Sequence, residues 1–124
     1  MKTEEFWKKP RKFDFATSIS SFEHDGLGRY GDPISPNADL ESMKRLKNII
    51  KKGGLLFLTV PIGRDRIVWN LHRVYGKYRF PKLIEGWKLI DSFGFKEKDL
   101  ITDLGNKMYK NGVPTQPVFV LRNI

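Results

Sequence analysis

Residues 13–33 read FDFATSISSFEHDGLGRYGDP, and this stretch decides how the chain is interpreted. Its first part, Phe13 to Ser20, has the apolar content of a β-strand buried on both faces. The remainder is rich in Ser, Glu, His, Asp and Gly, which predicts a loop. Because open α/β sheets place ligand sites where strand ends open onto such loops, we expect a site just beyond this strand.

The next two elements are predicted from spacing and composition. Apolar residues recur at three- and four-residue spacing over residues 37–52, which predicts a helix with Asn37 as N-cap. Gly53 is expected to stop that helix in the left-handed conformation. Leu55 to Val60 (LLFLTV) is almost wholly apolar, as buried parallel strands are.

The second half of the chain continues the alternation. Ile67 to Tyr75 fits either a strand or an irregular segment. A second helix is predicted from Pro81 to Phe93, ended by Gly94. Residues 95–104 are a candidate for a short strand, and Val118 to Leu121 predicts the last strand. Strands that alternate with helices predict an α/β layer fold.

Composition limits the class of protein. The 124 residues are 40% hydrophobic, contain nine Phe, four Tyr and three Trp, and suit one domain with a modest core. We assign residues 1–12 to an N-terminal arm, with Phe6 and Trp7 as anchors, and residues 13–124 to the domain. No stretch reaches the ~20 apolar residues of a membrane span, and the charged N-terminus does not resemble a signal peptide. The chain has no cysteine, and we take a cytoplasmic location as the default.

The net charge of +9 raises the question of nucleic-acid binding. The basic residues are dispersed along the chain and form no pure basic run with interleaved stacking aromatics. A solvated surface, or attraction of phosphate-bearing small molecules, explains the charge as well. Nucleic-acid binding is therefore kept as an alternative and not as the leading function.

Three segments carry a resemblance to a known fold family. FDFATSISSFEH, the 37–52 helix followed by KKGG, and LLFLTVP resemble the fourth strand, the next helix and the fifth strand of class I S-adenosylmethionine-dependent methyltransferases. SISSFEHDGLGRYGDP with WNLHRVYG is similar to a family of such domains first named for nematode proteins of unknown function. The resemblance implies an α/β, partial Rossmann-like fold with a mostly parallel sheet and flanking helices, and S-adenosylmethionine as cofactor.

The resemblance also implies that part of the fold is lacking. Class I methyltransferases have a glycine-rich turn after their first strand and an acidic residue at the end of the second. The twelve residues before Phe13 are too few for two strands and a helix. We therefore expect the N-terminal cofactor-binding strands to be absent from this chain, and binding of S-adenosylmethionine by this chain alone to be negligible. The chain is interpreted as a fragment, a shortened paralogue or one part of a split assembly.

Glu23 and His24 are the leading candidates for catalysis because they come just beyond a strand's end. With Asp25 and Asp32 they have the side chains for acid–base chemistry or for a divalent ion. The resemblance implies that Glu23 and His24 line the active-site cleft. Hydrogen bonds that fix the loop, including bonds to Arg29, are the equally weighted alternative.

Asn70, His72 and Tyr75 are candidates for contact with a substrate. They form a polar set inside an apolar stretch, and such sets converge in ligand sites. The alternative is that they form the outward face of a half-buried strand. His24 and His72 are the two histidines of the chain, but a two-histidine metal site is not favoured, and we predict no metal.

Gly26, Gly28 and Gly31 spell GxGxxG without the context of a dinucleotide site. That motif requires a strand directly before it, a helix directly after it and an acid about 20 residues on. Here a proline follows, and the position about 20 residues on is basic, at Lys51 and Lys52. We expect a loop that needs positive φ at some of its glycines.

The remaining candidates favour structural roles. Ser18, Ser20 and Ser21 lack the G-x-S-x-G context of a nucleophile and suit loop hydrogen bonds. Arg64 and Arg66 fit either an anionic group or solvated surface charge.

Three functions follow from the sequence. The first is a methyltransferase-like domain that takes a small-molecule acceptor and is incomplete for its cofactor. The second is a non-catalytic module that binds a protein partner, or a second copy of itself, at an exposed sheet edge. The third is a basic nucleic-acid-binding domain.

Overall fold

The computed structural model describes residues 5, 8–9, 11–105 and 109–124. Phe6 and Trp7, the predicted anchors of the arm, lie outside the described residues. The elements follow one another along the chain as β1 (Phe13–Ile19), a 3₁₀ helix (Phe22–His24), α1 (Ala38–Leu46), β2 (Ile50–Thr59), β3 (Arg66–Val68), β4 (His72–Val74), α2 (Arg79–Leu83), β5 (Trp87–Phe93), a second 3₁₀ helix (Glu97–Ile101) and β6 (Val118–Asn123).

The main sheet has four strands in the order β1-β2-β6-β5. β1 and β2 are parallel and aligned from Phe15↔Leu55 to Ile19↔Thr59. This pairing confirms the predicted side-by-side placement of residues 13–20 and 55–60. It also brings the carboxyl ends of both strands to the same edge of the sheet, where the predicted site lies.

The expectation of a mostly parallel sheet is wrong. β6 is antiparallel to β2 and also antiparallel to β5. β2 and β5 therefore point in the same direction but do not pair with each other, because the reversed strand β6 lies between them.

The predicted helix from Pro81 to Phe93 is wrong over most of its length. Helix α2 is one short turn, Arg79–Leu83, and the chain then forms strand β5. Gly86 has φ +84 and breaks the helix. Residues 87–93 are extended because they pair with β6, with a shift in register between Leu89 and Asp91.

The predicted helix over residues 37–52 is shorter than expected. α1 ends at Leu46, and β2 already begins at Ile50. Asn37 holds the N-cap position without a side-chain capping bond. Gly53 has the predicted positive φ, +80, but lies within β2 and does not end the helix. Pairing with β1 has overridden the local helical pattern.

One face of the sheet carries the hydrophobic core. Leu56, Leu58, Phe119 and Leu121 are buried on that face. Apolar residues of both helices pack in the same core; they are Met43, Phe80 and Leu83. The prediction that Phe13 to Ser20 is buried on both faces is wrong, because β1 is an end strand and most of its residues are exposed.

The segment left open by the sequence, residues 67–75, belongs to a β-hairpin. β3 and β4 pair antiparallel from Arg66↔Val74 to Val68↔His72. Residues 95–104 contain the second 3₁₀ helix and no strand. Within the described part of the chain, helices are too short or too polar to cross a membrane.

Candidate functional site

The site begins where the chain leaves β1. Ser20 has φ +47, and its backbone N–H donates to the carbonyl oxygen of Thr59 at 3.2 Å and to its side-chain oxygen at 3.1 Å. The chain then turns into the first 3₁₀ helix, which holds Glu23 and His24. Both predicted residues therefore lie directly beyond the carboxyl ends of the parallel strands.

Glu23 is buried without full compensation. Its relative exposure is 1%, and its Oε2 atom has no hydrogen-bond partner among the described residues. Burial raises the pKa of the Glu23 carboxyl, and the neighbouring charge of His24 only partly opposes that rise. Carboxyl groups that transfer protons in enzymes are often buried in this way and have a raised pKa.

His24 has a fixed tautomer. Its Nδ1 lies 2.5 Å from the carbonyl oxygen of Leu71, and since a carbonyl only accepts, Nδ1 donates the hydrogen. In the neutral ring Nε2 is then the free acceptor. Nε2 lies 3.8 Å from Oε1 of Glu23, which is too long for a hydrogen bond.

His72 joins this pair from strand β4. Its ring centroid is 6.0 Å from that of His24, and its ring stacks on Tyr109 at 5.7 Å and 15°. The Nε2 atom of His72 is buried without a partner among the described residues. Burial, and then the charges of His24, Arg66 and Arg29, lower the pKa of His72. His72 is therefore held neutral near physiological pH.

A cleft of about 440 Å³ adjoins His24. It lies between the glycine-containing loop and α1, and Tyr30 forms part of its wall, with its ring 5.8 Å from that of His24. The volume falls in the range of small-molecule sites. The cleft also contains carboxylates with structural partners: Asp25 accepts from Ser42 at 2.7 Å, and Asp32 accepts from the Gly26 backbone at 2.6 Å.

Two of the predicted substrate residues lie apart from this cluster. Asn70 is exposed at the tip of the β3–β4 hairpin, where its φ of +62 serves the turn. Tyr75 is fully buried, and its hydroxyl donates to Asp39 at 2.8 Å. The structure thus brings Glu23, His24 and His72 together and places Asn70 and Tyr75 elsewhere.

A buried ionic network holds the cluster in place. Asp39 is fully buried and accepts from Arg79 at 2.7 and 3.1 Å, in addition to the Tyr75 hydroxyl. Arg73, also fully buried, lies 3.7 Å from Asp39 and donates to the carbonyl oxygens of Asp25 and Ser35. The network therefore ties the hairpin to the loop that follows Glu23 and His24.

Sequence reasoning missed Arg73, Asp39 and Tyr109. Arg73 stands in the apolar run IVWNLHRVY, where a charged residue surrounded by apolar ones was the available signal. Tyr109 stacks on His72 and carries Arg66 over its ring at 5.7 Å. The sequence did not indicate this contact, because Tyr109 and His72 are far apart in the chain and meet only in the tertiary structure.

The glycines of the GxGxxG sequence serve the loop. Gly26, Gly28 and Gly31 have φ values of +76, +78 and +78. A Cβ on Gly26 would lie 2.3 Å from the carbonyl oxygen of Ser35. The space beside Gly26 is filled by protein and is not open to a phosphate or a sulfonium ligand.

The other candidates have structural partners or remain unassigned. The Ser20 hydroxyl donates to Gln116 at 2.5 Å, whereas the hydroxyl of Ser18 is buried without a partner among the described residues. Arg64 lies 3.6 Å from Asp103, and Arg66 donates to the carbonyl oxygen of Gly105. In the part of the chain that the structure describes, three or more His, Asp or Glu residues do not come together in a way that would hold a metal ion.

Comparison of structures defines the class of fold. The chain superposes on the crystal structure of TehB from Haemophilus influenzae with a TM-score of 0.52 at 12% sequence identity. The superposition covers 92% of this chain and 36% of TehB, so the chain spans about a third of the length of that protein. At that identity the likeness shows only that the chain shares its fold with part of TehB.

The family model then gives the particular family. The chain belongs to the family described as Caenorhabditis protein of unknown function, DUF268, whose model matches residues 2–124. The predicted resemblance to a family first named for nematode proteins is thereby confirmed. No curated protein matches the chain in sequence.

Proposed function

We propose that this domain supplies the acceptor-binding side of a methyltransferase-like site, with a small molecule as acceptor. The observation that carries the proposal is the position of His24. Its Nε2 is free, it adjoins the 440 Å³ cleft, and it lies 3.8 Å from the buried carboxyl of Glu23 at the carboxyl ends of β1 and β2.

The two side chains have distinct proposed roles. Methyl transfer chiefly requires that acceptor and donor be held in line, and a base is needed where the acceptor must lose a proton. His24 Nε2 is the proposed base, because its Nδ1 hydrogen is fixed on Leu71. Glu23 is the proposed second proton carrier, and His72 packs beside His24 as a neutral ring.

S-adenosylmethionine enters this proposal through resemblance only. The residues around Gly26 do not fit it, because the space beside Gly26 is filled by Ser35 and Ala38, and the Gly26 N–H is bound to Asp32. Calorimetric titration of the chain with S-adenosylmethionine should detect no binding up to 1 mM, and low-micromolar binding would overturn the assignment to the acceptor side alone.

Fragment binding tests the acceptor site directly. In NMR titrations with phenol and benzylamine, we expect shifts of the His24 and Tyr30 side-chain signals. The His24→Gln variant should lose these shifts, whereas Tyr78→Phe, at an exposed position, should keep them. Asn70→Ala tests whether Asn70 contacts the fragment. Loss of the shifts in this variant would show such a contact, and unchanged shifts would show that Asn70 does not take part. Shifts centred on Arg64 and Arg66 would contradict the proposal.

A second candidate function is a protein-interaction module at the outer edge of β1. β1 is the end strand of the four-stranded sheet, and Phe15 and Ile19 are 61% and 72% exposed. Amide hydrogen exchange tests the premise. The outward amides of residues 15–19 should exchange at least tenfold faster than those of Leu56 and Leu58, and equal protection would show that the edge is covered.

A further inference from the structure

We propose that the cleft beside His24 takes its small molecule as a protonated amine. The inference rests on the proposed function and names the chemical class of the acceptor. Three features of the cleft carry it: the charge of its wall, buried oxygen atoms without a hydrogen-bond donor, and an aromatic ring.

The wall of the cleft is acidic although the chain is basic. Of the described residues that line it, three carry carboxyl groups, Asp25, Asp32 and Glu41, and one carries a guanidinium, Arg45. The whole chain has a net charge of +9, so the sign of the charge is reversed at this cleft. A cleft lined by one sign of charge concentrates ligands of the opposite sign.

The buried arginine behind this wall is paired with a carboxylate of its own. Arg73 is fully buried, lies 3.7 Å from Asp39 and donates to the backbone carbonyl of Asp25. Burial raises the pKa of the Asp25 carboxyl; Asp32 and Asp39 add to that rise, whereas Ser42 and Arg73 oppose it. The carboxylates of Asp25 and Asp32 therefore repel each other, and a cation beside them relieves that repulsion.

Asp32 has an acceptor atom that the protein does not use. Its Oδ2 accepts from the Gly26 N–H at 2.6 Å, whereas its Oδ1 is buried without a partner among the described residues. A buried acceptor without a donor costs free energy. Because Asp32 lines the cleft, an ammonium group there is a source of charged N–H donors for this atom.

Glu23 and His24 add further acceptors on the β1 side of the cleft. Nδ1 of His24 donates to the Leu71 carbonyl, so Nε2 is the acceptor of the neutral ring. Glu23 is 1% exposed, its Oε1 lies 3.8 Å from that Nε2, and its Oε2 has no partner among the described residues. A hydroxyl group offers one donor, whereas a primary ammonium offers three, and several acceptors favour the ammonium.

The ring of Tyr30 suits the same ligand. It lines the cleft, and its centroid lies 5.8 Å from that of His24 with the two planes at 83°. The face of a tyrosine ring attracts a cation within about 6 Å. A protonated amine with an apolar substituent therefore matches the carboxylates, the unpaired oxygen atoms and the aromatic ring together.

Four probes that share a phenyl ring test the proposal: benzylamine, benzyl alcohol, benzoate and benzyldimethylsulfonium. In NMR titrations at pH 7.5 and 50 mM NaCl, followed at the side chains of His24 and Tyr30, benzylamine should bind about fivefold more tightly than benzyl alcohol, the effect of one exposed ion pair. Benzoate should bind most weakly. Equal binding of the amine and the alcohol, or tightest binding of benzoate, overturns the proposal.

The sulfonium probe separates an amine from another cation. Benzyldimethylsulfonium carries the same charge as benzylamine but has no N–H donor. Weaker binding of this probe than of benzylamine supports an amine. Equal or tighter binding overturns the amine in favour of a sulfonium ligand.

A charge-removing variant tests the part assigned to Asp32. Asp32→Asn keeps an oxygen atom for the Gly26 N–H, so it should weaken benzylamine about fivefold and leave benzyl alcohol unchanged. Asp91→Asn removes the same charge at an exposed position of β5 and should leave both probes unchanged.

A second variant keeps the test valid if Asp32→Asn fails to fold. Glu41→Gln, at an exposed position of α1, should weaken benzylamine about twofold and leave benzyl alcohol unchanged. Unchanged binding of benzylamine in both cleft variants, or an equal loss in Asp91→Asn, overturns the proposal.

The same probes separate the two levels of failure. If none of them shifts the signals of His24 and Tyr30 at 10 mM, the proposed acceptor site fails, and the amine with it. If benzyl alcohol and benzylamine shift these signals with equal affinity, the acceptor site stands and only the charge of its ligand is wrong.

Discussion

The sign of the pKa shift of Glu23 predicts that its ionised carboxyl destabilises the fold at neutral pH. Burial raises the folded-state pKa above that of the unfolded chain. Between the two values the folded state binds more protons, so the stability falls as pH rises through this interval. Each unit of such a shift corresponds to about 1.4 kcal/mol.

We therefore predict that Glu23→Gln raises the free energy of unfolding at pH 7.5. The gain should shrink as pH falls and vanish near pH 4, where the carboxyl is protonated in both states. Urea denaturation followed by circular dichroism measures both values. Glu85→Gln, at an exposed position, is the control and should change little. Destabilisation of Glu23→Gln at pH 7.5 would show that Glu23 fixes the loop.

Asp39 has the opposite role, because its charge is fully paired. Its removal leaves the fully buried Arg73 and the half-buried Arg79 without their shared counter-ion. Breaking a buried ion pair by removing one partner costs about 3–5 kcal/mol. We predict that Asp39→Asn lowers the free energy of unfolding by that amount in urea denaturation. Glu41→Gln, on the exposed side of the same helix, should stay within about 0.5 kcal/mol. Equal effects of the two variants would contradict the role assigned to the network.

At the level of single residues, the sequence indicated the residues next to strand ends but not those brought in by tertiary structure. Glu23 and His24 were found because they follow a recognisable strand. His72 was found as a polar residue in an apolar run, but its contacts with His24 and Tyr109 depend on the hairpin. Tyr75 belongs to the same run, and its burial against Asp39 could not be deduced from spacing.

At the level of elements, local patterns predicted β1 and the start of α1 and failed where pairing between strands decides the conformation. Residues 87–93 have helical spacing of apolar residues, yet they form β5 because β6 offers them a partner. The helix over 37–52 was predicted too long for the same reason, since Ile50 pairs with Phe13 and residues 50–52 belong to β2. Gly86 was the overlooked signal for the end of α2.

The loop between β1 and α1 yields a prediction from two matched glycines. Gly26 and Gly31 have nearly equal positive φ, but a Cβ on Gly26 meets the Ser35 carbonyl at 2.3 Å, and one on Gly31 meets nothing within 4 Å. Gly31→Ala should lower the free energy of unfolding by about 1 kcal/mol, the cost of the left-handed conformation. Gly26→Ala should lower it by about 3 kcal/mol or more, because overpacking is added.

Thermal and urea unfolding of both glycine variants measures this difference. The Gly26→Ala variant should also lose the Tyr30 fragment shifts, because Gly26 and Tyr30 line the same cleft. Equal destabilisation of the two variants would show that the loop rearranges to accept a Cβ at Gly26, and would contradict the predicted cost of overpacking.

At the level of the whole molecule, the parallel pair was predictable and the strand order was not. The positions of β1 and β2 followed from two apolar runs joined by a helix. The antiparallel insertion of β6 between β2 and β5 links residues far apart in the chain, and one sequence carries no local signal for it. The exposed edge of β1 is a consequence of that order.

The distribution of charge over the whole molecule leads to the last prediction. Basic residues occur before β1, in β2, around the hairpin and in β6; examples are Arg11, Lys52, Arg66 and Arg122. A dispersed charge contacts few phosphates at once, and each contact contributes about −0.7 to the salt slope for a single strand. We predict a slope between about −1 and −3 for a labelled 20-nucleotide RNA in anisotropy titrations from 25 to 200 mM NaCl.

Charge-reversal variants decide whether any one surface dominates that binding. Lys51→Glu/Lys52→Glu on β2 and Arg64→Glu/Arg66→Glu near the hairpin each replace two positive charges with two negative ones, so each should weaken RNA binding by a similar factor. A dispersed surface requires this equivalence, because no pair of charges is then essential. A slope steeper than about −5 would make nucleic-acid binding the leading function, and complete loss of binding in one double variant alone would locate the interface at that pair.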